Sequence, residues 1–138
     1  MKVLNRQELR SIEQFFQLRQ NSLKKVMFHF LQLNYETIYN TKDYTVAVGD
    51  IPVALVAHLD TVFSIPPTNI FYDRVKNVMW SPEGLGADDR AGVYAIAQVV
   101  KQGFKPTIIL TTEEEKGAIG ASELVKAFPQ APMELKYI

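Results

Sequence analysis

Pro52-Val53-Ala54-Leu55-Val56-Ala57-His58-Leu59-Asp60-Thr61 is the stretch on which the fold turns. A continuous apolar run of this kind reads as a strand buried on both faces. It stops abruptly at a histidine and an aspartate. A second apolar run, Thr107-Ile108-Ile109-Leu110, enters Thr111-Thr112-Glu113-Glu114-Glu115 in the same way. Between the two, the period changes to that of a helix over Asp89 to Gln102, with Val93, Ile96, Ala97 and Val100 on one stripe. Gly103 suits the position just past the helix end, and Pro106 follows it. A further helix carries Ala121, Leu124, Val125 and Phe128 and is stopped by Pro129, and Met133 to Ile138 reads as the start of another strand. Strand and helix in alternation predict an α/β fold with a mostly parallel mixed sheet flanked by helices. In such sheets ligands gather at the carboxyl ends of the strands. His58 and Asp60, Asp88 and Asp89, and Glu113 to Glu115 all belong to that rim.

Working outward, residues 1–33 form a helical N-terminal region and residues 34–138 an α/β region that holds the polar words. Leu9, Ile12, Phe15 and Phe16 have helical spacing, and Leu23, Val26, Met27, Phe30 and Leu31 repeat it. Asn21-Ser22 reads either as a break with Ser22 as N-cap or as a polar patch on one long helix. Thr37 to Tyr39 and Thr45 to Val48 flank the turn-rich Asn40-Thr41-Lys42-Asp43, which predicts a hairpin. Gly49-Asp50 makes another turn. Ser64 to Asn69, with Pro66-Pro67, is a loop, and Ile70 to Trp80 holds two short strands about Lys76-Asn77.

The 138 residues fit one domain, and 47% apolar with 22% charged content is that of a globular chain. Fifteen basic and fifteen acidic side chains balance, which argues against a nucleic-acid binder or a membrane-surface protein. Without cysteine there is no disulfide framework, thiolate zinc site or thiol nucleophile. The opening Met1 to Arg6 has no apolar core of a signal peptide, and no run approaches a membrane span, so a cytoplasmic location is expected.

The polar words have ordinary readings as well as chemical ones. His58 and Asp60 are a surface His and a turn Asp, or a metal-binding imidazole oriented by a carboxylate. Asp88-Asp89 is the acidic start of a helix, or a carboxylate bridging two cations. Glu113 to Glu115 is a solvated acidic loop, or a cluster whose repulsion a cation relieves. His29 lies away from the apolar face of its helix and reads as a solvated or capping residue.

Together, His58-Leu59-Asp60-Thr61-Val62, Gly86-Ala87-Asp88-Asp89-Arg90-Ala91-Gly92 and Thr112-Glu113-Glu114-Glu115-Lys116-Gly117 resemble the co-catalytic zinc exopeptidase and amidohydrolase superfamily. Peptidase T, the carboxypeptidase G type and zinc aminopeptidases belong to it. The resemblance covers Pro52 to Phe128. It implies a three-layer sandwich and two Zn²⁺ ions, with Co²⁺ or Mn²⁺ also suited to the donors. It implies that His58, Asp88 and Glu115 are metal ligands, with Asp88 bridging and the Asp88–Asp89 peptide cis. It further implies that Asp60 orients His58 and that Glu114 is the general base. Arg90 stands where relatives more often carry Lys, and Glu113 where they often carry Asp. The implied activity is cleavage of peptide or amide bonds in small peptides or acylated amino acids through a two-zinc-activated water.

Relatives carry two more ligands: an acid after the strand that here begins at Met133, and a distant histidine. The resemblance therefore implies a C-terminally incomplete catalytic domain. Self-association or a complementing C-terminal segment is the expected remedy. The alternative is a truncated or degenerate non-catalytic relative that serves as a binding or assembly module.

Overall fold

Asn5 starts the first helix. Its Oδ1 accepts the Gln7 and Glu8 amides, each at 2.9 Å, and Glu8 Oε2 accepts the Asn5 N–H at 2.8 Å. This reciprocal box satisfies donors that a helix start leaves free. In the computed structural model, which describes residues 4–130, α1 spans Arg6–Gln17 and α2 spans Gln20–Gln32. The break therefore falls at Leu18-Arg19, and Asn21 and Ser22 lie inside the first turn of α2. Spacing alone misplaced it because the decisive contact comes from a distant residue. Arg90 Nη1 donates to Phe15 O at 3.1 Å, to Phe16 O at 3.4 Å and to Leu18 O. A buried cation on the last carbonyls of α1 ends the helix there.

The predicted hairpin is present, with β1 at Ile38–Asn40 antiparallel to β2 at Tyr44–Ala47. Thr41 Oγ1 closes its turn by accepting the Asp43 and Tyr44 amides at 3.1 Å. β3 spans Ile51–His58, and β4 at Phe71–Asp73 pairs with β5 at Val78–Trp80 in a small separate sheet. α3 spans Ala87–Lys101, β6 spans Pro106–Thr111, and a single 3-10 turn at Glu114–Lys116 leads into α4 at Ile119–Ala127. Gly103 follows α3 at φ 89° and donates its N–H to Val100 O at 2.9 Å, as its position predicts.

The main sheet has the order β1-β2-β6-β3. Its β3–β6 pair is parallel, whereas β1–β2 and β2–β6 are antiparallel. The sheet is mixed, as expected, but among the described residues it is not mostly parallel. The cause lies at Gly49-Asp50, where the chain reverses and passes under the start of β6. The Asp50 amide donates to Lys105 O at 2.9 Å and the Gly49 amide to Thr107 Oγ1 at 3.1 Å. A Cβ on Gly49 would collide with the backbone of Lys105 and Pro106. β6 thus slots between β2 and β3, and the hairpin joins the sheet antiparallel.

β6 is also the strand buried on both faces. Both runs read from sequence as buried strands, but β3 pairs only with β6 among the described residues, and Val56 is 49% exposed on it. Period-2 alternation sends Ala57 and Leu59, with Ile108, Leu110 and Ala47, into the core. There they meet Leu23, Met27 and Leu31 of α2 and the whole predicted stripe of α3, Val93, Ile96, Ala97 and Val100. Each large side chain so buried contributes roughly 1.5–3 kcal/mol. On α4 the predicted stripe is only partly covered, since Val125 is 65% exposed while Phe128 packs edge-on against Tyr39 and Tyr44. The strand expected at Met133 to Ile138 lies outside the described residues. No described helix is long and apolar enough to cross a membrane.

Candidate metal centre

The parallel register sets His58, the last residue of β3, beside Thr111, the last of β6. Leu59 N–H donates to Thr111 O at 2.9 Å, so the pairing carries both chains just past the sheet before they diverge. His58 and the acidic run after Thr112 therefore meet at one carboxyl edge. His58, Glu114 and Glu115 each offer a ligand atom, and these atoms lie within 4.8 Å of one another.

Asp88 arrives from the start of α3. Its Oδ1 is 3.3 Å from His58 Nε2, with its own side chain 90% exposed. It touches the imidazole but stands outside the His58/Glu114/Glu115 group. Asp88 and Asp89 have non-helical dihedrals and a cis peptide bond between them. Both acids do lie in the first turn of α3, as the ordinary reading has it, but Gly86 is the N-cap and the turn departs from regular helix at these two residues. Asp89 turns the other way, and its Oδ2 accepts the His58 backbone N–H at 3.3 Å. Burial raises the Asp89 pKa against the opposing effect of that amide.

Asp60 lies beneath the group, 8% exposed. Its Oδ1 is 3.3 Å from His58 Nδ1, a charge contact without hydrogen-bond geometry. Both oxygens are taken by backbone, Oδ1 by the Glu114 amide and Oδ2 by the Glu115 amide, at 3.0 Å each. One buried carboxylate thus faces the imidazole and fixes the turn that presents the two glutamates. Partial burial alone would lower the proton affinity of His58. The carboxylates of Asp60, Asp88, Asp89 and Glu114 outweigh it and raise the pKa. The edge is electrostatically set to hold positive charge.

Glu113 departs from its neighbours. It takes a left-handed φ of 55° and turns back toward α2. Gln20 Nε2 donates to Glu113 Oε1 at 2.8 Å, the Glu113 amide donates to Gln20 Oε1 at 3.3 Å, and Lys116 Nζ is 2.6 Å from Oε2. The Lys116 and Gln20 contacts hold its pKa below the usual carboxylate range. His29 is exposed on α2 and takes no part in the group, as its wheel position predicts.

Gln20 is a contributor that sequence reasoning missed, and Asp89 and Arg90, though placed in the second motif, were given no role there that matches their contacts with the His58 amide and with α1. Gln20 carried no signal, being one polar residue on a helix. Arg90 was legible only as a basic residue after two acids, and its clasp on α1 needed the tertiary fold. A cavity of about 370 Å³ adjoins the centre, with Asp60, Glu115 and Arg90 on its wall.

No protein-family model matches the chain, and no curated protein matches it. The reading of this edge therefore rests on the side chains themselves.

Proposed function

We propose that this chain carries the metal centre of a hydrolase that cleaves peptide or amide bonds in small peptides or acylated amino acids. The observation that carries the reading is the convergence of His58, Glu114 and Glu115 within 4.8 Å, at a strand edge where Asp88 also reaches His58. An imidazole with carboxylates is a donor set that zinc accepts, as do cobalt and manganese. The raised proton affinity of His58 favours the same conclusion, since a cation would take the place of the proton.

His58, Glu115 and Asp88 would hold the metal. Zinc held there would supply Lewis acidity and would lower the pKa of a bound water toward about 7. Glu114, exposed in the same group, takes a proton from the attacking water and returns it to the leaving amine. Asp60 keeps the imidazole and both glutamate backbones in register.

The test is hydrolysis of a dipeptide, tripeptide and N-acyl amino acid panel by the complete protein loaded with zinc or cobalt. Glu114→Gln should retain the metal and lose turnover by about 10²–10⁴-fold. Metal binding with no cleavage across the panel would sink the reading and leave a binding module.

A further inference from the structure

The turn that carries the two glutamates is anchored on both sides of Glu113. Before it, the Thr112 amide and Oγ1 both donate to Asp43 O at 2.9 Å. After it, the Glu114 and Glu115 amides donate to Asp60 at 3.0 Å each. The dihedrals of Glu113 therefore set the direction in which the chain leaves β6 for the metal group. They lie at φ 55° and ψ 37°, the left-handed region that a residue with a Cβ enters at a cost and glycine enters freely.

Gln20 holds Glu113 there. Its Nε2 donates to Glu113 Oε1 at 2.8 Å, and its Oε1 accepts the Glu113 amide at 3.3 Å. A carboxamide offers a donor and an acceptor side by side, which is what this two-way clasp requires. The clasp comes from outside the segment, 93 residues away in sequence. The other partners of Glu113 are near neighbours: Lys116 Nζ lies 2.6 Å from Oε2, and the Ile119 amide donates to Glu113 O at 3.1 Å. The Lys116 side chain is 72% exposed, and a surface ion pair of this kind holds little. Gln20 opens α2, and Leu23 one turn on is fully buried in the core, so the clasp is mounted on a fixed element.

We propose that Gln20 is a positioning residue of the metal centre: by keeping Glu113 left-handed it aims Glu114 and Glu115 at His58. The inference rests on the reading of this edge as a metal centre, and it gives the helical N-terminal region a role in that centre. Without the clasp, Glu113 relaxes toward extended backbone. The peptide between Glu113 and Glu114 then rotates, which draws the glutamates away from the imidazole.

The experiment titrates the complete protein, first stripped with EDTA, with zinc and with cobalt. Gln20→Ala should bind zinc about 10–100-fold more weakly, the usual effect of losing a partner that orients a ligand. The visible bands of its bound cobalt should also shift, because they report ligand geometry. Gln20→Glu keeps the size of the side chain, and an acid in the first turn of α2 suits the helix dipole, so this variant guards against a loss of folding. It should lose affinity too, although its added negative charge would by itself attract the cation. Adding Glu113→Gly to Gln20→Ala should restore both the affinity and the native cobalt bands, since glycine needs no clasp to sit at positive φ. A merely structural role would lower the unfolding midpoint and leave the bands of the folded fraction native. Native affinity and native bands in both Gln20 variants, or no recovery in the double variant, would overturn the proposal and leave the metal-centre reading in place. No zinc or cobalt bound by the native protein would overturn both. Hydrolysis of the peptide panel enters neither outcome, so a metal site without turnover keeps the proposal.

Discussion

The backbone N–H of Glu114 donates to Asp60 Oδ1 at 3.0 Å, and the same oxygen lies 3.3 Å from His58 Nδ1. One atom therefore links the imidazole of the first motif to the peptide that carries the glutamates of the third. The two motifs are 54 residues apart in sequence along this contact. Rigidity at this point sets how closely His58, Glu114 and Glu115 can converge.

Asp60→Asn should disturb the centre more than its burial suggests. The side chain keeps one acceptor and gains an NH₂ group that faces a backbone donor. Leaving that donor unmet costs about 1–3 kcal/mol, readable as a lower urea midpoint. Zinc affinity should fall about 10–100-fold, as for other partners that orient a ligand. An unchanged zinc titration would show that Asp60 does not position the ligands.

Arg90→Lys should loosen the helical entry. A lysine ammonium ends one bond short of Nη1, so it falls short of the Phe15, Phe16 and Leu18 carbonyls that Nη1 serves. A loss of about 1.5–3 kcal/mol is expected. Faster amide exchange confined to α1 is the signature, and uniform exchange across the chain would contradict it.

Tyr35 makes an alkaline limb in the stability profile. Burial, with Asp50 nearby, pushes its phenol from 10.0 up to about 12, and its hydroxyl donates to Pro106 O at 2.8 Å. A raised pKa contributes stability that is complete below the unfolded value and is lost as pH rises through the folded one. The advantage of the native chain over Tyr35→Phe should be about 1 kcal/mol at about pH 9 and shrink steadily from pH 10 toward 12. Urea titrations at both ends of that window check it, and a constant difference would count against a buried neutral phenol.

Gly49→Ala should be among the costliest small substitutions. The added methyl would meet the Lys105 and Pro106 backbone, which cannot step aside as a side chain can. Overpacking of about 1–3 kcal/mol is expected, concentrated on the β2–β6 pairing. A thermal midpoint equal to that of the native chain would remove this crossing as the reason for the strand order.

Much of the fold was legible because it is local. The period of Val93, Ile96, Ala97 and Val100, the turn about Thr41 and the ending at Gly103 each depend on residues a few positions apart. The strand runs were legible as strands, yet their burial was not. Val56 and Ile109 are both apolar, and only the neighbours that a sheet supplies decide that Val56 is half exposed.

The sequence by itself determined which side chains stand at the ends of β3 and β6, because each motif directly follows its strand. It also determined that two helices precede the sheet, since apolar spacing writes their buried faces. Only the tertiary structure decided the strand order, the break at Leu18-Arg19 and the parting of Glu113 from Glu114 and Glu115. Each of those depends on a contact between distant segments: Gly49 with Lys105, Arg90 with α1, and Gln20 with Glu113. Propensity and periodicity describe how a residue meets its near neighbours. Which far neighbour it meets is settled when the core closes and every buried polar group must find a partner.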